Sequence, residues 1–264
     1  MAEDRRGRAA GTEAAAEAPV ADVRADEARL RGFRISGASV HAALANEIGQ
    51  RIVRGDYPPG TTLPNEQKWS QTFDVSRSAV REAIKMLMAK NLLVSRPKVG
   101  SRVEPRDRWN LLDRDVLGWY ASAPDRLKFL RTVQEFRYII EPEATALAAT
   151  RRSEEQMAEI TQACTEMGTA RFLSERTEAD TRFHVAILRA SGNELLVPLG
   201  VLIESTLDNL FGFITREVND LKYAQELHED IEKCIRLQRP EAARKAVRRL
   251  LANTDEIIGR AASR

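Results

Sequence analysis

The chain lacks the features of a membrane or secreted protein. No hydrophobic run in its 264 residues approaches the ~20 residues that span a bilayer. Its arginine-containing N-terminus is not followed by an apolar segment, so a secretory signal peptide is not expected. Only two cysteines occur, Cys164 and Cys234, and they are too far apart for a metal-binding or redox motif. We therefore expect a cytoplasmic protein whose thiols are buried as small apolar groups.

The net charge of +2 is distributed unevenly. Residues 1–38 carry 7 basic and 7 acidic side chains, and residues 39–108 carry 12 basic against 7 acidic ones. Residues 109–264 carry 22 basic against 25 acidic side chains. A basic module followed by a larger, mildly acidic one is the distribution expected when only the first module contacts a phosphate backbone.

The segment Leu63–Arg81 has the layout of a helix-turn-helix. A turn at residues 73–75 separates two short helical segments, and Ser76 is the predicted N-cap of the second one. Arg77 and Arg81 lie one turn apart on that helix, where they can contact bases or phosphates in a major groove. The segment indicates a DNA-binding regulator with a double-stranded operator as partner. The alternative is that these arginines form only surface salt bridges.

The surrounding sequence extends this motif to a winged helix over residues 39–104. A helix is predicted over residues 40–54 and ends at Gly55, and the next helix begins after Asn65. Residues 92–95 and 101–104 alternate like the strands of a β-hairpin.

The remaining regions divide into a tail, a connector and a second domain. Residues 1–38 are rich in Ala, Arg and Glu and are predicted to be a disordered tail, with a basic arm on DNA as the alternative. Residues 105–124 form an apolar connector with a short helix, expected to pack on the second domain or on a partner subunit. Residues 125–264 show only helical periodicity, so the chain is mostly α, with an all-α helical bundle as its second domain. Helices are predicted near 126–150, 153–172, 175–190, 194–217, 221–237 and 240–260.

Two groups of motifs make a family resemblance. IVRGDYPPGTTLPNE from Ile52 and VSRSAVREA from Val75 resemble the winged-helix domain of the GntR superfamily of bacterial regulators. RYIIEPEA from Arg137, with the Asp180/His184 pair and a later His228, is similar to the effector domain of the FadR-like branch, called FCD. The connector is similar to that of sugar-acid regulators of the galactonate-repressor type.

The resemblance implies which residues contact DNA. In such domains the start of the recognition helix and the tip of the wing make the contacts. On this sequence they correspond to Ser76, Arg77, Ser78, Arg81, Arg96, Lys98 and Gly100. Because each winged helix covers one half-site, we expect a homodimer on a pseudo-palindromic operator.

The resemblance also implies a metal site in the second domain. Asp180 and His184 share one helix face because they are four residues apart, but the spacing alone equally allows a simple ion pair inside the bundle. With His228, they fall where FCD domains hold a divalent ion, for which Zn²⁺, Ni²⁺ and Mn²⁺ are candidates. The position of a further histidine ligand in the family is Leu250 here, which cannot ligate. Glu232, one turn after His228, either supplies an oxygen or is solvated.

Arg137 lies among apolar positions of a predicted helix, so its charge needs an anionic partner. The resemblance implies that it binds the carboxylate of an effector together with Asp180, His184 and His228. The alternative is a structural ion pair with Glu141 or Glu143.

The sequence thus predicts a transcriptional repressor, not an enzyme, that a small carboxylate such as galactonate releases from its operator. One alternative is a DNA-binding protein whose helical domain only dimerises. Another is a metalloenzyme that uses the Asp180, His184 and His228 cluster.

Overall fold

The computed structural model of the chain describes residues 39–96, 100–205, 207 and 218–262. The predicted tail, the wing tip with Lys98 and part of the predicted helix over 194–217 lie outside these residues. The described chain is mostly α-helical and contains one two-stranded antiparallel sheet, which agrees with the predicted fold class. None of its described helices is both long and apolar enough to cross a membrane.

Three helices and a hairpin follow one another from residue 40 to residue 103. They are α1 (Val40–Arg54), α2 (Glu66–Phe73), α3 (Arg77–Ala89), β1 (Leu93–Arg96) and β2 (Gly100–Val103). The strands pair from Leu93 opposite Val103 to Arg96 opposite Gly100. This order is the predicted winged helix, and the hairpin strands are shifted by one residue from their predicted positions.

Local signals set the ends of these helices. Gly55 has a φ of 91° and ends α1 in the left-handed conformation that glycine adopts without steric cost. The Asn65 side chain accepts a hydrogen bond from the Lys68 N–H at 2.9 Å, and Ser76 accepts one from the Ala79 N–H at 3.2 Å. Asp74, in the turn between α2 and α3, has a φ of 51°. The predicted caps are therefore confirmed.

The apolar face of the connector packs mainly on the first domain, which was not predicted, and the predicted contact with the second domain is present as well. Its helix α4 (Arg114–Tyr120) lies against α1, and Trp119 belongs to the same apolar core as Leu44 and Ile48 of that helix. The indole Nε1 of Trp119 donates a hydrogen bond to Asn46 Oδ1 at 2.7 Å. The apolar character of the connector was therefore a correct signal of burial, but it does not identify the surface that is covered.

Three ion pairs hold the connector near the start of α4. Lys90, which follows α3, donates hydrogen bonds to both carboxylate oxygens of Asp113 at 2.8 and 2.7 Å and pairs with Asp115 at 2.8 Å. Arg114 pairs with Glu204 at 2.8 Å, in a helical segment over residues 200–205 of the second domain. The connector thus contacts the recognition helix on one side and the bundle on the other.

The second domain is a helical bundle around one large apolar core. Its named helices are α5 (Arg126–Arg151), α6 (Glu154–Thr169), α7 (Leu173–Ala190), α8 (Val218–Arg236) and α9 (Pro240–Ala262). α5 packs along α9 and α6 along α7, and α8 contacts α5, α6 and α9. Both cysteines are free and buried in this core, as predicted. Burial raises the pKa of the Cys164 thiol to about 12.

Candidate functional site

The start of α3 presents the predicted DNA-contacting residues on one exposed surface. Ser76, Arg77, Ser78 and Arg81 are all exposed. The Ser76 hydroxyl lies 2.9 Å from that of Ser78, so the two serines form a polar pair beside the arginines. Hydroxyls and guanidinium groups in this position are suited to phosphate and base contacts, respectively.

Arg81 is held by Glu66 of α2. Its Nε and Nη2 atoms donate hydrogen bonds to the two carboxylate oxygens of Glu66 at 3.1 and 2.8 Å, and these hydrogen bonds lower the pKa of Glu66. The surface salt bridge that the sequence left as an alternative is therefore present for Arg81. Because the pair uses only one side of the guanidinium, the Nη1 group remains directed away from Glu66 and can contact DNA.

The wing is described only at its base. Gly100 begins β2 with a φ of 95°, a left-handed conformation that favours glycine at the end of the tip. The backbone of Arg96 pairs with Gly100, whereas the Arg96 side chain and the whole of Lys98 lie outside the described residues. The predicted wing contacts of Arg96, Lys98 and Gly100 thus stay predictions.

The three predicted metal ligands meet in the core of the bundle. Asp180 and His184 come from α7, and His228 comes from α8. One ligand atom of each lies within 4.8 Å of the others, and all three side chains are buried. His184 Nε2 and His228 Nε2 lie 3.2 and 3.3 Å from Asp180 Oδ1. α7 and α8 both pack on α6, and this packing brings together His184 and His228, which are 44 positions apart in sequence.

Neighbouring acceptors orient both imidazole rings. His184 Nδ1 lies 3.1 Å from Glu141 Oε2, and His228 Nδ1 lies 2.6 Å from the carbonyl oxygen of Ala224. If each Nδ1 carries the proton for its acceptor, each Nε2 keeps a lone pair that faces Asp180 Oδ1. These three converging atoms are buried and make no hydrogen bond within the described residues. Buried polar atoms without hydrogen bonds are costly, and a divalent ion bound between them would satisfy all three. The residues present therefore fit the implied metal.

The electrostatics of the cluster favour charged side chains. Burial alone would raise the pKa of Glu141, but Arg137 and His184 outweigh burial and lower it to about 2. Burial would likewise raise the pKa of Asp180, and the two histidines lower it instead. Burial would lower the pKa of His184, whereas Glu141 and Asp180 raise it to about 9. A positive charge on the His184 ring is thus stabilised by the two carboxylates.

Arg137 pairs with Glu141, one of the two acids considered as its structural partner. Its Nε donates a hydrogen bond to Glu141 Oε1 at 2.5 Å, and both side chains are almost fully buried. Glu143, the other considered partner, instead accepts hydrogen bonds from Arg244. The Nη1 atom of Arg137 is buried without a hydrogen-bond partner in the described part of the chain. The ion pair is therefore present, and binding of an effector carboxylate by Arg137 stays a prediction.

Glu232 differs from both of its expected roles, whereas Leu250 lies in the core as a residue that cannot ligate. Glu232 is neither solvated nor part of the ligand cluster, because it is 9% exposed and accepts hydrogen bonds from Thr161 Oγ1 at 2.8 Å and Arg236 Nε at 3.2 Å. Leu250 is 3% exposed and packs in the bundle core, where it contributes apolar contacts and no ligand.

Glu141 is the residue of this site whose role the sequence did not reveal. From the sequence it was only one of two candidate structural partners for Arg137. Its second contact, with His184, joins α5 to α7 and depends on helix packing that no sequence spacing records. The same holds for the Ala224 carbonyl, since any residue type supplies that acceptor.

Comparisons with known proteins identify the families of both domains. The model of the gntR family of bacterial regulatory proteins matches residues 41–103, and the FCD domain model matches residues 132–253. The HTH-type transcriptional regulator YieP of Escherichia coli (strain K12) is 36% identical over 81% of this chain and 93% of that protein. The galactonate operon transcriptional repressor of the same organism is 33% identical over 78% of this chain and 91% of that protein.

A solved structure supports the fold. Lar, which controls the expression of the Listeria monocytogenes agr system, matches over 86% of this chain and 99% of its own with a TM-score of 0.61. Its sequence identity of 19% limits that likeness to the fold.

Proposed function

The chain belongs to the GntR family of bacterial regulatory proteins and carries an FCD domain, and from this premise we propose that it is a repressor released from its operator by a small carboxylate. The protein is a DNA-binding transcriptional regulator and not an enzyme, as are the relatives it matches.

The observation that carries the proposal is the convergence of Asp180 Oδ1, His184 Nε2 and His228 Nε2 in a buried site. These residues would hold a divalent ion of the Zn²⁺, Ni²⁺ or Mn²⁺ type. When bound, such an ion offers open coordination positions to carboxylate and hydroxyl oxygens of a ligand. Glu141 and the Ala224 carbonyl keep the two imidazoles oriented for this role.

Arg137 gives the same site a preference for acids. One of its terminal nitrogens, Nη1, is buried and has no hydrogen-bond partner among the described residues, so a carboxylate nearby would satisfy it. The effector class that combines a carboxylate with hydroxyls is a sugar acid. The 33% identity with the galactonate operon repressor makes galactonate our first candidate within that class.

The connector supplies a route from the bundle to the DNA-binding domain. α7 carries His184 and, one turn later, Leu188, which packs with Ile203 of the helical segment over 200–205. The next residue of that segment, Glu204, pairs with Arg114 of α4, and α4 in turn packs on α1. A ligand that changes the position of α7 can therefore change the position of the winged helix. In a homodimer on a pseudo-palindromic operator, such a change alters the spacing of the two recognition helices.

A thermal-shift screen tests the proposal and needs no operator DNA. Purified protein is heated with galactonate, gluconate and other small carboxylates as isolated, after chelation, and with Zn²⁺, Ni²⁺ or Mn²⁺ restored. A ligand at ~100 times its dissociation constant stabilises the folded state by ~2.7 kcal/mol, which raises the melting temperature by several degrees. We expect a hexonate to stabilise the metal-loaded protein and chelation to abolish the effect. If no carboxylate stabilises any form, the proposal is wrong, and the alternative of a helical domain that only dimerises is favoured.

A further inference from the structure

A second charged site lies on the outer face of α8 and α9, away from the cluster of Asp180, His184 and His228. A groove of about 660 Å³ runs between these helices. Its rim carries five cationic side chains, which define what we call the basic groove: Lys233, Arg239, Lys245, Arg248 and Arg249. The concentration is unusual because residues 109–264 as a whole carry more acidic than basic side chains.

Only one of these cations, Arg249, forms a close ion pair within the described residues, and the charge of Arg248 also helps to lower the pKa of Glu143. Asp230, the only acidic residue among the described residues that line the groove, pairs with Arg249. Lys233, Arg239, Lys245 and Arg248 are exposed and form no ion pair within the described residues. Like charges so close together repel one another, and a bound anion would relieve that repulsion.

The helix geometry directs these side chains into one groove. Lys245, Arg248 and Arg249 are three and four residues apart, so they share one face of α9. Lys233 and Leu237 are likewise four residues apart on the α8 side. Gln238 has a φ of 51° in the turn between the helices, and Arg239 follows it at the end of the groove. The charges therefore surround the space from two helices and their turn.

The floor of the groove is apolar. Cys234 is 9% exposed, Ala242 is half-buried, and Leu237 is 42% exposed beside them. A volume of several hundred Å³ with charged walls and an apolar floor suits a metabolite-sized ligand. Guanidinium groups such as those of Arg239 and Arg248 bind phosphate oxygens in a bidentate manner, and lysines add point charges.

We infer that the basic groove binds a phosphorylated metabolite with at least two closely spaced phosphate groups, such as a nucleoside diphosphate or triphosphate. The phosphates contact the cationic rim, and an apolar portion of the ligand covers Leu237 and Cys234. This site is separate from the buried cluster proposed to sense a carboxylate, so the protein would respond to two chemically different ligands.

The test is a calorimetric titration of the full chain, stripped of metal, with inorganic pyrophosphate and with ATP. Stripping removes the competing possibility that phosphate oxygens bind an ion at Asp180 and the histidines. The groove variant is the pair Lys245→Glu with Arg248→Glu. The matched control is Lys128→Glu with Arg131→Glu, because these exposed residues on α5 undergo the same change of charge outside the groove. A third variant, Lys245→Arg with Arg248→Lys, keeps the charge.

We expect saturable binding of one pyrophosphate or ATP per chain, at least tenfold weaker in the groove variant and unchanged in the control pair. The charge-preserving variant should keep most of the affinity, and binding should weaken as the salt concentration rises. Equal binding by the groove variant and the control pair would overturn the inference, as would the absence of binding to the unmodified chain. The same variants are titrated with a non-operator duplex. If the groove variant loses affinity only for the duplex, the groove binds the DNA backbone and the metabolite assignment is wrong.

Discussion

Trp119 of the connector lies so close to Gly49 of α1 that a Cβ atom at Gly49 would be 2.2 Å from the indole Cη2. Because glycine has no side chain, the indole ring can approach the helix backbone this closely. The Asn46 side chain on the same helix accepts a hydrogen bond from the indole Nε1. The lack of a side chain at Gly49 therefore determines how closely the connector packs on the DNA-binding domain.

Gly49→Ala should destabilise the protein, although alanine normally stabilises a helix relative to glycine. The new methyl group overlaps the indole ring, and overpacking of this kind costs roughly 1–3 kcal/mol in the free energy of unfolding. The matched control is Gly118→Ala on α4, where no atom lies within 4 Å of the added Cβ. Denaturant unfolding should show a loss for Gly49→Ala and no loss for Gly118→Ala. Equal stability of the two variants would mean that the Trp119 ring does not pack against Gly49.

Removal of either recognition-helix arginine should weaken operator binding. If Arg77 or Arg81 contacts a base, its replacement by alanine lowers affinity roughly 5- to 150-fold. Fluorescence anisotropy on an operator selected from random duplexes measures this change, and Lys128→Ala on α5 controls for the loss of one positive charge. Operator affinity that is unchanged in both arginine variants would contradict their assignment as DNA contacts.

Glu66→Gln tests whether the ion pair with Glu66 positions Arg81 for sequence recognition. The variant removes the carboxylate that holds Arg81 and also removes one negative charge near the DNA. Operator binding should therefore weaken roughly tenfold while binding to non-operator DNA stays equal or becomes stronger, because phosphate contacts depend only on charge. Parallel changes on both DNAs would show that the pair has no part in sequence recognition.

These elements also show which parts of the structure the sequence predicts. The helix caps at Asn65 and Ser76 were predictable because the side chain and the N–H it binds are three residues apart. The contact between Trp119 and Asn46 joins residues 73 positions apart, and the pattern of apolar residues in the connector does not identify its partner. Burial of the connector was therefore predictable, whereas the surface that it covers was not.

The same distinction applies to the candidate site. Asp180 and His184 could be placed on one helix face from their spacing, and the family motif added His228. The contact of Glu141 with His184 depends on the packing of α5 against α7 and was not predictable from either helix alone. The pairing of Arg81 with Glu66 was considered only as a general alternative, because it forms between two helices across the turn.

Replacement of a cluster histidine should abolish metal binding. His184→Ala and His228→Ala each remove one of three ligand atoms, and the remaining pair binds a divalent ion weakly. The matched control is His41→Ala, which removes the third histidine of the chain in α1, outside the bundle. Elemental analysis of the purified proteins should find about one ion per chain in the control and almost none in the cluster variants. A cluster variant that retains its metal would exclude this site.

Glu141→Gln should weaken metal binding without removing a ligand. The amide keeps an oxygen but loses the charge that orients the His184 ring and pairs with Arg137. Outer-shell changes of this kind lower metal affinity about 10- to 100-fold. Competition with a fluorescent chelator measures the affinity, and circular dichroism checks that the variant remains folded. Metal affinity equal to that of the unmodified chain would show that Glu141 only neutralises Arg137.

Whether a sugar acid releases the protein from DNA is decided by operator binding as a function of galactonate concentration, followed by anisotropy with the metal-loaded protein and with His228→Ala. We expect galactonate, or another hexonate from the thermal screen, to weaken operator binding of the metal-loaded protein about 5- to 150-fold, the usual range of allosteric coupling. His228→Ala should bind the operator with normal affinity and fail to respond. Operator affinity that no hexonate changes, or an equal response from His228→Ala, would contradict the account.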